Sequence, residues 1–226
     1  VKETPILFSG PMVRAILDGR KTQTRRVVKP QPSGYDVSCY SFKTRNFIKC
    51  HDLEDDHCAP CGFGFQNEST FWRSPYGKPG DRLWVKETWN VVPVGRPAPL
   101  CGTVGIPKSL PDGWGVMYRA SGDVTTKLVG WRPSIFMPRW ASRITLEITA
   151  VRVERLQEIS DADAKAEGIH KPAGSQFWYA DPRENVLPSM SPVGGYWNLW
   201  NSINGPGSWD ANPWVWVIEF RRIDRE

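Results

Sequence analysis

The chain has 226 residues, 29 Lys and Arg against 24 Asp and Glu, a formal net charge of +5 and 40% hydrophobic residues. That composition excludes an intrinsically disordered protein and allows one well-buried core with decorations. No apolar run approaches the ~18–20 residues of a membrane span. The first ten residues, VKETPILFSG, lack a basic segment leading into an apolar one, so a cytoplasmic protein is expected.

In chain order, Ile6 to Phe8 forms a short strand candidate. Ser9-Gly10-Pro11 reads as a helix start, because proline is tolerated at the first helical position. Met12, Val13, Ile16 and Leu17 recur at helical spacing, and Gly19 sits where a C-terminal cap belongs. The next ten residues, RKTQTRRVVK, carry five cations (Arg20, Lys21, Arg25, Arg26 and Lys29) and no acid. Without those five the chain has 24 basic and 24 acidic residues, so the net charge is numerically this cluster. Five cations in one span repel each other, and a nucleic-acid backbone or nucleotide phosphate supplies a reason for them to be together; a solvated basic loop is the plainer alternative.

Residues 30–80 read as an insertion, opened by PQPSGYD and closed by PYGKPGD, in which neither period 2 nor period 3.6 persists. Asp81 to Trp89 returns to strand character. If it is extended, Leu83, Val85 and Glu87 share one face, which puts a carboxylate on the apolar side. Residues 90–140 are loop-rich, with KSLPDGWG as a turn cluster. From Arg143 to Val153, Ile144, Leu146 and Ile148 alternate, then Val151 and Val153 alternate one register out, which predicts a bulge near Ala150. A helix starts after Ser160, with Asp163 completing a capping box and Ile159 stapled to Ala164; Gly168 ends it, leaving Glu167 in the last turn. The tail WVWVIEFRRI is apolar on both faces and predicts a strand buried on both sides. Twelve Trp, 20 Gly and 20 Pro suggest a β-rich body with long loops.

Two constellations carry chemistry. Cys50, His51, His57, Cys58 and Cys61 fall within twelve residues, and Cys58-Ala59-Pro60-Cys61 is a CxxC. Cys50, His57, Cys58 and Cys61 form a candidate structural zinc site, with Cys39 and His51 as substitutes; free thiols in a loop are the alternative. The second constellation is Lys21, Thr24 and Glu167. A lysine whose pKa is lowered by burial or neighbouring cations can deprotonate a threonine, and a carboxylic acid can protonate a leaving group. In a strand, positions 21 and 24 face opposite sides, so cooperation needs a turn between them.

The order of a helix, GRKTQTRR, a Gly-Asp loop into a strand (GDRLWVKE), the bulged strand, the SDADAKAEG helix and the closing WVWVIEF strand resembles the ASCH family, a branch of the PUA-like β-barrels. The likeness covers residues 5–29, 79–89, 139–169 and 213–223 and is greatest to the longer phage and prophage members. It implies an α+β fold, a PUA-like mixed β-barrel with short flanking helices. The whole of 1–226 would be a single domain, with loop-rich insertions at about 30–80 (the candidate zinc unit) and 90–140. It also implies a cleft for RNA or a nucleotide. Similar proteins that hydrolyse N4-acetylcytidine to cytidine use a lysine as base, a threonine as nucleophile and a glutamate as proton donor. These match Lys21, Thr24 and Glu167, although those hydrolases are much shorter and lack the two insertions.

Arg20, Arg25, Arg26 and Lys29 are then expected to hold nucleic-acid phosphate, with Glu87 as a further carboxylate at the cleft. Three functions stay open. One is an amidohydrolase acting on an N-acylated base, and another is a non-catalytic module for RNA or DNA. The third is a phage protein that binds a host protein through its Trp-rich loops. None involves a membrane.

Overall fold

The computed structural model describes residues 1–31, 73–94, 106–122, 130–180 and 186–223, and the backbone of four short strands between 38 and 72. In chain order the strands are β1 (Glu3–Leu7), β2 (Gln23–Val27), β3 (Ser38–Ser41), β4 (Asn46–Lys49), β5 (Phe63–Gly64), β6 (Phe71–Trp72), β7 (Arg82–Lys86), β8 (Trp89–Pro93), β9 (Trp114–Tyr118), β10 (Thr145–Arg155) and β11 (Trp214–Ile223). The helices are α1 (Gly10–Leu17), α2 (Asp161–Ala166) and α3 (Pro192–Asn204), with short 3-10 turns between the longer elements.

The central sheet has five strands in the order β1-β7-β10-β11-β2. β1 and β7 run parallel, and the other neighbours are antiparallel. The register of β10 against β11 shifts between Ile148 and Ala150, so Thr149 is the extra residue of a bulge. β11 shows why its sequence is apolar on both faces. Trp216, Ile218 and Phe220 join a core with Ile6, Val13, Ile16, Leu83, Leu146 and Ile148. Val215 and Val217 join a second core with Ala164, Tyr196, Leu199 and Trp200. The sheet is therefore a partition, with α1 on one side and α2 and α3 on the other. Each large aliphatic side chain buried there contributes about 1.5–3 kcal/mol.

The expected barrel is not closed. β1 and β2 are the two edges of the sheet, and no backbone ladder joins them. A side chain bridges them instead: Arg26 Nη2 donates to the Leu7 carbonyl oxygen at 2.6 Å. The fold is a strand-rich α+β domain with few short helices. That edge-to-edge gap is where the candidate site lies.

Both insertions contain strands that their sequence does not announce. Within residues 30–80, β3 to β6 form an antiparallel sheet in the order β4-β3-β5-β6. Strands of two to four residues are too short for a period to register. Within 90–140, β9 pairs with β8, which starts just before the expected boundary. A third core of Trp89, Val91, Met137 and Ala141 supports this pair, with Trp114 and Trp140 packed against it. Among the described residues, no helix is long and apolar enough to cross a membrane.

Candidate functional site

The basic segment leaves α1 through Gly19, whose φ of +72° favours glycine. The amides of Arg20 and Lys21 both donate to the Ala15 carbonyl, at 2.8 and 3.0 Å, so the chain folds back over the helix end before β2 begins. There Lys21 forms an isolated antiparallel bridge with Glu167, and the Thr22 amide donates to the Ala166 carbonyl. Lys21 Nζ donates to Glu167 Oε2 at 2.5 Å and to the Glu167 carbonyl at 2.9 Å. Their side chains are 0% and 1% exposed.

Glu167 is held there by its own helix. Ser160 caps α2, its hydroxyl accepting from the Asp163 amide, and Glu167 is the C-cap residue. The next residue, Gly168, has φ +104°, and a Cβ there would lie 3.0 Å from the Ala15 Cβ. Only glycine lets α2 end this close to α1.

Arg25 also turns towards α2. Its Nη1 lies 3.5 Å from Glu167 Oε1, and its Nη2 is 3.1 Å from Glu154 and 3.4 Å from Asp163. Arg152 extends the chain of charges to Glu154, Asp163 and Glu219. Burial lowers the Lys21 pKa from 10.5, against the opposing pull of Glu167 and with help from Arg26 and Arg25. Asp163 falls to about 2: burial works against this, but bonds from Ser160 and Gln23 and the charge of Arg25 outweigh it. The Tyr196 phenol is pushed well above 10.0 by burial and by the Glu167 carboxylate beside it.

A cavity of about 290 Å³ opens between the sheet edge and α3. Thr24, Arg25, Arg26 and Glu167 line it from the sheet side, Phe8 and Met12 from β1 and α1, and Tyr196 and Trp200 from α3. Lys21 Nζ stands behind this wall, bonded to Glu167 and 5.7 Å from the Phe8 ring centroid. Thr24 and Glu167 thus share one cavity, and Lys21 reaches it through Glu167. No turn separates positions 21 and 24: Lys21 sits in a β-bridge just before β2.

The predicted phosphate-holding cations separate. Arg20 is tied to Asp18, the Gly168 carbonyl and His170. Arg25, expected to hold phosphate, is buried, and its charge is matched by three carboxylates, although it also lines the cavity. The reason is strand alternation: Arg25 shares a face with Gln23 towards α2, while Thr24 and Arg26 face the other way. Arg26 lines the cavity, and Lys29 lines a neighbouring one of about 420 Å³.

Glu87 is buried as predicted, but it does not line the cavity with Thr24. Arg143 holds both its oxygens, at 2.9 and 3.0 Å, and also donates to Ser121. Burial raises the Glu87 pKa above 4.5, against the pull of Arg143. Cys50, His57, Cys58 and Cys61 lie outside the described residues, as does His51. Among the described residues, no group of three or more His, Cys, Asp or Glu is placed to hold a metal ion.

Sequence reasoning missed α3, which supplies Tyr196, Leu199, Trp200 and Ile203 to the cavity. A signal for it existed: Ser191-Pro192 as a helix start, apolar Tyr196, Leu199 and Trp200 at helical spacing, and Gly205 after the end. Compared with known proteins, the chain matches no family model, no curated protein and no solved structure.

Proposed function

We propose that this protein binds RNA or a nucleoside in the Thr24–Glu167 cavity and hydrolyses an N-acyl amide on the base, as the resemblance to ASCH-type amidohydrolases implies. The observation that carries this reading is the buried 2.5 Å contact of Lys21 with Glu167 beside a cavity whose wall contains Thr24. Burial favours the neutral amine that a base requires. Phe8, Tyr196 and Trp200 offer aromatic surface for a base, in a volume at the low end of roughly 300–1,000 Å³ typical of small-molecule sites.

In this scheme the Thr24 hydroxyl attacks the acyl carbon while its proton passes to the Lys21 amine. The tetrahedral adduct collapses by breaking the carbon–nitrogen bond, and the departing amine takes a proton from the Glu167 carboxyl. Water then cleaves the acyl-threonine ester, giving the carboxylic acid and restoring the hydroxyl, and the proton held by Lys21 returns to Glu167 across their hydrogen bond. Incubation with N4-acetylcytidine tests it. Release of cytidine by wild type, reduced at least about 100-fold in Lys21→Ala and Thr24→Ala, is expected. No release by wild type, or equal release by Lys21→Ala, rejects the enzyme.

A non-catalytic binding module is the second reading. What favours it is that Lys21 already makes two hydrogen bonds to Glu167, a pair complete without any ligand. It predicts salt-sensitive nucleic-acid binding with no cytidine release.

A further inference from the structure

Tyr196 is a buried polar residue of the Thr24–Glu167 cavity that the hydrolytic scheme leaves without a task. Among the residues lining that cavity, Thr24, Arg25, Glu167 and Tyr196 are polar and at most 4% exposed, whereas Ser9 and Asn204 stand at the solvent-exposed rim. Arg25 is already matched by three carboxylates. Tyr196 comes from α3, outside every stretch on which the resemblance rests, and it reaches the cavity because Tyr196, Leu199 and Trp200 belong to the buried stripe of that helix. Its ring packs against Trp200 and Trp209, with centroids 6.2 Å apart in each pair. Its hydroxyl lies beside the Glu167 carboxylate, and burial first, then that carboxylate, keeps the phenol protonated. Tyr196 is therefore a neutral hydrogen-bond donor. Glu167 offers the opposite. Its Oε2 is held by Lys21 at 2.5 Å, but Arg25 stands 3.5 Å from Oε1, the outer limit of a hydrogen bond, so this oxygen keeps acceptor capacity.

The buried end of the cavity thus sets a donor beside an acceptor. We infer that Tyr196 is a specificity-determining residue: with Glu167 Oε1 it selects a base that presents an N–H next to an unprotonated ring nitrogen, the edge shared by cytosine and adenine, over uracil. The inference rests on the reading that this cavity takes a base. The base N–H donates to Glu167 Oε1, and the Tyr196 hydroxyl donates to the ring nitrogen. An acyl group on the exocyclic nitrogen leaves one N–H and the ring nitrogen in place, so the edge is the same before and after deacylation. Uracil reverses both groups. Its carbonyl oxygen would face the carboxylate oxygen, acceptor against acceptor, and its ring N–H would face the hydroxyl. Rotation of the hydroxyl relieves only the second mismatch, because Lys21 fixes the carboxylate from Oε2.

The test measures calorimetric binding of cytidine, adenosine and uridine to wild type and to Tyr196→Phe, which keeps the ring that packs on Trp200 and Trp209. None of these ligands carries an acyl group, so the outcome does not depend on whether N4-acetylcytidine is hydrolysed. Wild type is expected to bind cytidine, adenosine or both at least about tenfold more tightly than uridine. Preference for cytidine alone assigns the site to a pyrimidine, and preference for both assigns it to the shared edge. Tyr196→Phe is expected to lose about five- to tenfold in affinity for the preferred nucleoside and little for uridine, so the preference shrinks by that factor. An unchanged preference in the variant overturns the inference, as does an equal weakening of all three nucleosides, which is what a merely structural tyrosine would give. Uridine bound by wild type as tightly as the other two also overturns it, needs no variant to fold, and leaves the base reading intact. Wild type that binds none of the three removes the base reading and the inference with it.

Discussion

Lys21 Nζ and Glu167 Oε2 meet at 2.5 Å across 146 positions of sequence, in a setting where neither side chain reaches solvent. Taking two charges out of water costs several kcal/mol per ion, and only close geometry with additional hydrogen bonds recovers it. The second bond, from Lys21 Nζ to the Glu167 carbonyl, supplies part of that recovery, and Arg25 at 3.5 Å supplies more.

Breaking one side of this pair leaves the other charge buried. Lys21→Met is expected to cost about 3–5 kcal/mol of stability in urea denaturation. The double variant Lys21→Met/Glu167→Leu is expected to cost less than the sum of its two single changes. A double variant at or beyond that sum shows that the two side chains are not coupled.

Lys21 also sets a pH dependence with a definite sign. Its folded pKa lies below 10.5, so between the folded value and 10.5 the unfolded chain binds more protons than the native one. Stability attributable to Lys21 therefore rises with pH across that window. A hydrolytic rate that uses Lys21 as base rises with pH on its acid limb, as the neutral amine accumulates. Urea midpoints and cytidine release measured against pH should show both limbs, and the Lys21→Met protein should lack the stability limb.

Glu87 and Arg143 behave asymmetrically because only one of them is sequestered. The Arg143 side chain is 25% exposed and that of Glu87 2% exposed. Arg143→Met strands a buried carboxylate and is expected to cost about 3–5 kcal/mol near neutral pH, whereas in Glu87→Gln the arginine can turn to water and the cost is smaller. Burial already raises the Glu87 pKa above 4.5, so its folded state holds a proton more readily than the unfolded chain does. The Arg143→Met deficit should therefore shrink as pH falls towards 4.5, as denaturation at several pH values will show.

Gly168→Ala tests the placement of Glu167. With φ at +104° and the new Cβ 3.0 Å from that of Ala15, the substitution strains the backbone and pushes α2 from α1. A loss of about 1–2 kcal/mol is expected. Binding of a cavity ligand should weaken with it, since Glu167 is the preceding residue. Wild-type stability in the variant would show that the two helices can part without cost.

Several elements could be read directly from local pattern. The start and stop of α1, the capping box of α2, the slip in β10 and the two-faced β11 each express a spacing that a few neighbouring residues impose. β3 to β6 escaped because two to four residues cannot display a period. α3 escaped although its cap and apolar spacing were present, and with it went one wall of the cavity.

By itself the sequence determined that the positive charge is concentrated between Arg20 and Lys29, and it singled out Lys21, Thr24 and Glu167 as candidates. It could not say which cations face a ligand. Arg25 and Arg26 are adjacent and chemically identical, yet strand alternation sends one into a buried network of carboxylates and the other to the junction of two cavities. Which face was which depended on where α2 and α3 packed, and that packing rests on contacts more than a hundred residues apart. The arrival of Arg73 beside Lys29 was likewise decided by tertiary structure alone, because no local spacing relates the end of an insertion to the basic segment.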